Sequence, residues 1–142
     1  MYVPLRIHGH HSLLTGVDSP KELVQRAAML GLPALALADV DSLAGLVEFL
    51  QAAQECGVRP IVAAELSDPS PIAGQSGKAG RLVALVENEE GYRNLCRLVS
   101  ARHLTGDPSL IRAPSGGSEP AGPEHFDLAR AAVAHQAGLF FL

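Results

Sequence analysis

Side chains that can bind a metal ion follow three short apolar runs in this sequence. The first run leads into His8, with His10 and His11 just beyond it. Asp39 follows the second run, and Glu65 follows the third. Imidazole nitrogens and carboxylate oxygens are common ligands of divalent ions in proteins. The pattern predicts a metal site at the ends of these runs, or one inherited from a metal-binding ancestor.

The segments between the apolar runs have the residue spacing of amphipathic helices. The first begins with a capping box at residues 19–22, a pattern typical of helix N-termini. About four helices are predicted, at residues 20–30, 42–56, 88–100 and 124–136, and about five strands, at residues 3–7, 34–37, 59–64, 82–86 and 139–142. This alternation favours a parallel α/β sheet, whose strands end on one face. His8, Asp39 and Glu65 should therefore lie together.

Two stretches rich in Pro, Gly and Ser interrupt the pattern. Residues 67–80 are predicted as a long surface loop, and residues 106–123 as a disordered segment. The last four residues form an apolar strand with no helix after it to cover it, which would leave an aggregation-prone edge. We expect either that the chain is the front part of a longer barrel or that another surface covers this edge.

Composition narrows the class of protein. The chain has 142 residues, whereas an eight-unit barrel typically needs about 250. An apolar fraction of 47% with 18% charged residues indicates a globular domain. A net charge of −4 and 4% aromatic residues indicate neither a general attraction to nucleic acid nor a base-stacking platform. Two cysteines in predicted helices and the lack of a long apolar stretch favour a cytoplasmic protein without membrane contact.

Four segments resemble the PHP (polymerase and histidinol phosphatase) domain. They are SLLTG at 12–16, GLPALALAD at 31–39, GVRPIVAAE at 57–65 and NEEGYRNLCRLVS at 88–100. The last is the most specific to the version at the N-terminus of the bacterial DNA polymerase III alpha subunit. The resemblance runs from about Tyr2 to Leu142 and implies a distorted (β/α)7 TIM-like barrel. Residues 1–142 would form one PHP-like domain that supplies the first half of this barrel or somewhat more.

The resemblance also implies which residues would hold metal. PHP enzymes bind up to three ions, and a metal-bound hydroxide attacks phosphorus. Only His8, Asp39 and Glu65 match ligand positions of the family. Four other ligand positions are substituted: Arg6 stands in place of His, Thr15 in place of Asp, Val40 in place of His, and Arg81 in place of the His that opens the fourth strand.

Two of these substitutions introduce arginines. A guanidinium group stays protonated and cannot ligate a cation. Beside Asp39 and Glu65 it could instead supply the positive charge that an ion would have supplied. We therefore predict that Arg6 or Arg81 pairs with Asp39 or Glu65.

A different alignment of the histidines with the family's His-x-His motif is also open. His8, Gly9 and His10 themselves form a His-x-His, and His11 adds a third imidazole, so His10 and His11 are possible alternative ligands. The other interpretation is a solvated loop after the first strand. The match of residues 12–14 to the family places His8 at its second His and leaves the other two at positions that are not ligands.

The resemblance implies an N-terminal PHP domain of a DNA polymerase III alpha-type or error-prone polymerase, acting in DNA replication. With its metal site degenerate, the chain would have no catalytic residues and a structural, partner-binding role. Nucleotidyl transfer would belong to a polymerase domain of the same longer chain, a proofreading exonuclease subunit is a possible partner, and DNA would be met only through the polymerase. Zn²⁺, Mn²⁺ or Mg²⁺ is expected only if the remnant site still binds.

Two other functions stay open at this point. The first is a metal-dependent phosphoesterase or 3′–5′ exonuclease that uses His8, Asp39 and Glu65 together with ligands from outside the chain. The second is a free-standing β/α protein that forms a homodimer through its last strand.

Overall fold

The structure is a computed structural model that describes residues 2–71, 79–104 and 126–142. The elements in chain order are α1 (Pro20–Met29), β1 (Ala34–Leu37), α2 (Leu46–Cys56), β2 (Arg59–Pro71), β3 (Ala79–Val86), α3 (Glu89–His103), α4 (Leu128–Ala134) and β4 (Leu139–Phe141). The described part is a mixed α/β fold and does not contain a complete barrel. None of its helices combines the length and apolar character needed to cross a bilayer.

The four strands form one sheet in the order β1-β2-β3-β4. β1 and β2 are parallel, but β2 with β3 and β3 with β4 are antiparallel. The first apolar run joins the sheet through a parallel bridge between Ile7 and Leu37. The prediction of a parallel sheet is therefore wrong beyond β2. A parallel pair needs a crossover of a dozen or more residues, usually a helix, and only residues 72–78 separate β2 from β3.

The prediction of a loop at residues 67–80 is also wrong at both ends of that range. β2 continues to Pro71, and β3 already begins at Ala79. The register shifts between Ser67 and Pro71, and such irregularities are where a strand tolerates proline. Residues 72–78, and the segment predicted to be disordered at 106–123, lie outside the described residues.

Helices cover one face of the sheet. α1 and α2 pack against β1, with Val24, Leu35 and Phe49 at the centre of that cluster, while α3 and α4 pack against β2 and β3. The opposite face carries a third cluster made mainly of small residues: Ala36, Ala38, Ala63, Val83 and Leu85. Glu65 follows Ala63 by two residues on β2, so its side chain lies on this opposite face.

The polymerase-like segment at residues 88–100 builds the start of α3 and holds the turn before β4. The side chain of Asn88 accepts a hydrogen bond from the backbone N–H of Gly91 at 3.0 Å. Asn94 donates from Nδ2 to the carbonyl of Ala137 at 2.9 Å. A Cβ atom on Gly91 would lie 1.8 Å from the carbonyl oxygen of Gly138. The two backbones are therefore in contact, and position 91 has no room for a side chain.

We expect Gly91→Ala to lower the free energy of unfolding by about 1–3 kcal/mol, because the added methyl group forces the α3 and Gly138 backbones apart. Urea denaturation of the variant measures this loss. Glu90→Ala, at the exposed neighbouring position in the same helical turn, is the matched control. Equal stabilities of the two variants would contradict the close backbone contact.

Candidate functional site

The three residues predicted as metal ligands do lie close together. The bridge between Ile7 and Leu37 and the pairing of β1 with β2 place His8, Asp39 and Glu65 at neighbouring ends of parallel segments. The backbone N–H of Glu65 donates to the carbonyl of Asp39 at 3.0 Å. Arg81 reaches the same place because β3 is antiparallel, so that its beginning lies beside the end of β2.

Glu65 is fully buried, and among the described residues three side chains form hydrogen bonds with it. Arg6 makes a two-point contact, with Nε 2.5 Å from Oε2 and Nη2 3.1 Å from Oε1. Arg81 donates from Nη1 to Oε1 at 2.7 Å, and His8 Nε2 lies 2.9 Å from Oε2. The predicted pairing of an arginine with a retained carboxylate is confirmed: both arginines bind Glu65. Within the described residues neither arginine forms an ion pair with Asp39.

These contacts fix the charge of Glu65. Burial by itself raises the pKa of a carboxyl group, but the hydrogen bonds from Arg6, Arg81 and His8 outweigh burial and lower the pKa of Glu65 from 4.5 to about 2. The carboxylate is therefore ionised at any physiological pH. The guanidinium groups are about half exposed, so water screens part of the attraction.

The lowered pKa predicts how stability depends on pH. Because the folded-state pKa of Glu65 is depressed, its contribution is fully present above the unfolded value of 4.5 and is lost as the pH falls towards about 2. We expect this contribution to be roughly 2–3 kcal/mol after screening. Urea denaturation of the native chain and of Glu65→Gln, from neutral pH to about pH 2, should show the difference between them shrinking by that amount. If the difference in free energy of unfolding between the two proteins stayed constant over this pH range, the ionised Glu65 carboxylate would not contribute to stability.

Asp39 has a different environment. It is buried, and its Oδ1 accepts from the backbone N–H of Gly9 at 2.7 Å and from the hydroxyl of Ser12 at 2.6 Å. Ser12 Oγ in turn accepts from the backbone N–H of Val40 at 3.0 Å. Asp39 therefore ties the loop after residue 7 to the end of β1. Its Oδ2 is buried and has no hydrogen-bond partner among the described residues.

None of the remaining predicted positions contributes a side-chain hydrogen bond or ion pair to Glu65 among the described contacts. Thr15 donates its hydroxyl to the carbonyl of Ser12 at 3.2 Å, and Val40 forms a backbone bridge with Glu65. His10 and His11 lie beside each other, with their Nε2 atoms 3.2 Å apart. They form a separate group with Glu48 of α2. Sequence reasoning missed Glu48, because only the packing of α2 brings it near the loop.

A second polar network also went unpredicted. From the sequence, Asp41 beside Ser42 suggests a carboxylate at a helix start, and Arg102 suggests a solvated basic edge of α3. In the structure α2 begins only at Leu46. Asp41 Oδ1 instead accepts from the backbone N–H of Ser67 at 2.8 Å, and Arg102 Nε donates to the Ser67 carbonyl at 2.8 Å and lies 3.4 Å from Asp41 Oδ2. This network ties the end of α3 to β2.

Relatives among known proteins are long polymerases. The chain is 48% identical over 112 residues to the error-prone DNA polymerase of Anaeromyxobacter sp. strain K, 43% over 112 residues to that of Mycobacterium tuberculosis strain H37Rv, and 38% over 105 residues to the DNA polymerase III subunit alpha of Vibrio cholerae. The matches cover 74–75% of this chain but only 9–10% of each relative. The chain thus spans about a tenth of their length.

Solved structures support the same fold. A candidate metal-dependent phosphoesterase from Bifidobacterium adolescentis matches with a TM-score of 0.50 and 24% identity, covering 72% of this chain and 35% of that protein. An amidohydrolase from Chromobacterium violaceum, with bound sulfate and no metal, matches with a TM-score of 0.51 and 25% identity, covering 70% of this chain and 34% of that protein. The sequence profile of the PHP domain matches residues 4–133. The chain belongs to the PHP domain family.

Proposed function

We propose that this chain is the N-terminal PHP region of a DNA polymerase III alpha-type or error-prone polymerase, and that its metal site has been replaced by an arginine cluster with a structural role. One observation carries the proposal: Arg6, Arg81 and His8 occupy both oxygens of Glu65. The carboxylate that would bind an ion binds guanidinium groups instead.

The donor set at the retained positions does not fit a resident ion. An ion at Glu65 would have to displace hydrogen-bonded guanidinium groups and would then lie beside two fixed positive charges. Asp39 Oδ2 has no hydrogen-bond partner among the described residues, but Asp39 borders a cavity of about 10 Å³ that is lined mainly by apolar side chains such as Leu37, Leu43 and Ala63. A cavity of that size has space for about one water. We therefore derive no reaction step through a metal.

The context of the proposal comes from the relatives. They are about ten times longer than the matched region and are named as DNA polymerases. In our proposal a polymerase domain elsewhere in such a chain catalyses nucleotidyl transfer, and only that part of the chain binds DNA. The whole chain is proposed to be cytoplasmic. The PHP region would stabilise that polymerase and offer surface to a partner such as a proofreading exonuclease. Phe140 and Leu142 of the β4 edge are more than half exposed, as expected for an edge that other parts of a longer chain cover.

A second candidate is a metal-dependent phosphoesterase or 3′–5′ exonuclease. The observation that favours it is the buried Oδ2 of Asp39, which has a free lone pair for a cation. His8 and Glu65 would supply further ligands once the arginines had moved away.

Metal binding that depends on Glu65 separates the two candidates. We expect the chain to hydrolyse bis(p-nitrophenyl) phosphate no faster than buffer in Mn²⁺ or Zn²⁺, and we expect Glu65→Gln to leave its metal content unchanged. The exposed variant Glu55→Gln is the control for loss of one carboxylate. Hydrolysis together with bound metal, both lost in Glu65→Gln and kept in Glu55→Gln, would overturn the structural role.

A further inference from the structure

A second group of potential metal ligands lies apart from the Glu65 cluster. His10 and His11 belong to the loop after residue 7, and Glu48 belongs to the first turn of α2. Each offers one ligand atom, and the three atoms lie within 4.8 Å of one another. His10 is exposed, while His11 and Glu48 are half-buried. The group is therefore open to solvent on one side and backed by protein on the other.

The spacing of the two imidazoles suits a shared ion. Their Nε2 atoms are 3.2 Å apart, and the rings meet at an interplanar angle of 60°. In tetrahedral coordination with zinc–nitrogen bonds of about 2.0–2.1 Å, two ligand nitrogens lie about 3.3 Å apart. The observed separation is therefore close to what one zinc ion between the two nitrogens requires.

The backbone and the ring packing hold the two histidines in place. The N–H of His10 donates to the carbonyl of Asp18 at 2.9 Å, and the preceding Gly9 is bound to Asp39. A Cβ atom on Gly45 would lie 2.8 Å from Cδ2 of His11, so the ring rests against the backbone just before α2. Ligands fixed in this way lose less conformational entropy when they bind an ion.

We propose that His10, His11 and Glu48 bind a divalent ion of the zinc class. Two imidazoles and one carboxylate are one of the protein ligand sets found in open zinc sites, in which water fills the remaining position. Mg²⁺ and Ca²⁺ prefer oxygen ligands and are disfavoured by this donor set. Because the three ligand atoms lie within 4.8 Å of one another, Glu48 must approach the imidazoles by no more than about 1.5 Å to reach tetrahedral spacing. A half-buried side chain on the first turn of a helix can make such a shift.

Such an ion would link the loop of residues 8–18 to α2. This ion site goes beyond the structural role proposed above. It is also independent of that role, because none of its three ligands contacts Glu65 in the described hydrogen bonds and ion pairs. Arg6 and Arg81 therefore need not move for it to bind.

Calorimetric titration of the apo chain with ZnCl₂ tests the site, and cobalt substitution gives a second readout. We expect one Zn²⁺ per chain, visible absorption bands of four-coordinate Co²⁺, and loss of both signals in His10→Ala and in Glu48→Gln. Glu55→Gln on the same helix and His8→Gln at the Glu65 cluster are matched controls that should bind as the native chain does. Circular dichroism confirms that each variant is folded.

Two results would overturn the site. One is the absence of stoichiometric Zn²⁺ binding by the folded native chain. The other is binding that survives in Glu48→Gln but is lost in His8→Gln, which would move the ion to the Glu65 cluster. The second result would also contradict the proposed function, whereas the first would leave it standing.

Discussion

Replacing Arg6 and Arg81 together with methionine should lower the free energy of unfolding at neutral pH by about 3–5 kcal/mol. Methionine keeps much of the side-chain volume but cannot donate a hydrogen bond. Glu65 is fully buried, and the double variant leaves His8 as its one remaining side-chain donor among those described. An uncompensated buried carboxylate is far more costly than a lost surface ion pair.

Urea denaturation at neutral pH measures this loss, and two further variants make the result specific. Arg93→Met removes an exposed ion pair with Glu89 on α3 and should cost no more than about 0.5 kcal/mol. Adding Glu65→Leu to the double arginine variant should restore much of the stability, because the buried charge is then gone. A double variant as stable as Arg93→Met, or one that Glu65→Leu does not rescue, would show that the arginines do not compensate the Glu65 charge.

Asp39→Ala is the second substitution from which we expect a large effect, about 2–4 kcal/mol. It removes the acceptor of the Gly9 N–H and of the Ser12 hydroxyl, and Ser12 itself receives the N–H of Val40. Each buried donor left without an acceptor costs about 1–3 kcal/mol. Asp39→Asn keeps the Oδ1 acceptor and should lose less than half as much.

Chemical denaturation gives the two free energies, and amide hydrogen exchange shows where the change lies. In Asp39→Ala the amides of Gly9 and Val40 should exchange faster. The exchange rates of amides in α3 should rise no more than the loss of global stability accounts for. If the Ala and Asn variants were equally stable, or if exchange rose evenly throughout the chain, Asp39 would not be anchoring the loop through Oδ1.

Much of the candidate site could be predicted from the sequence because it depends on local patterns. The apolar runs before His8, Asp39 and Glu65 indicate segments that end on one side, and the fold brings them together there. The capping box at Ser19 forms as predicted. The pairing of arginine with a carboxylate was predictable because charge balance at a buried position allows few other partners.

The parts that could not be predicted depend on contacts between distant segments. Nothing local distinguishes a parallel from an antiparallel partner for residues 82–86; the short connection between β2 and β3 decides it. Both arginines pair with Glu65 because of the face of β2 on which Glu65 lies. For Arg81 the antiparallel direction of β3 also matters, because it places the start of β3 beside the end of β2. Glu48 joins the two histidines only because α2 packs beside their loop.

The most direct test of the arginine cluster is a crystal structure of the chain after soaking in MnCl₂, with anomalous data collected at the manganese edge. We predict guanidinium groups of Arg6 and Arg81 on the carboxylate of Glu65 and no anomalous peak within bonding distance of Glu65 or Asp39. Peaks bonded to these carboxylates and to His8, with both arginines turned into solvent, would contradict the proposed replacement of metal by arginine.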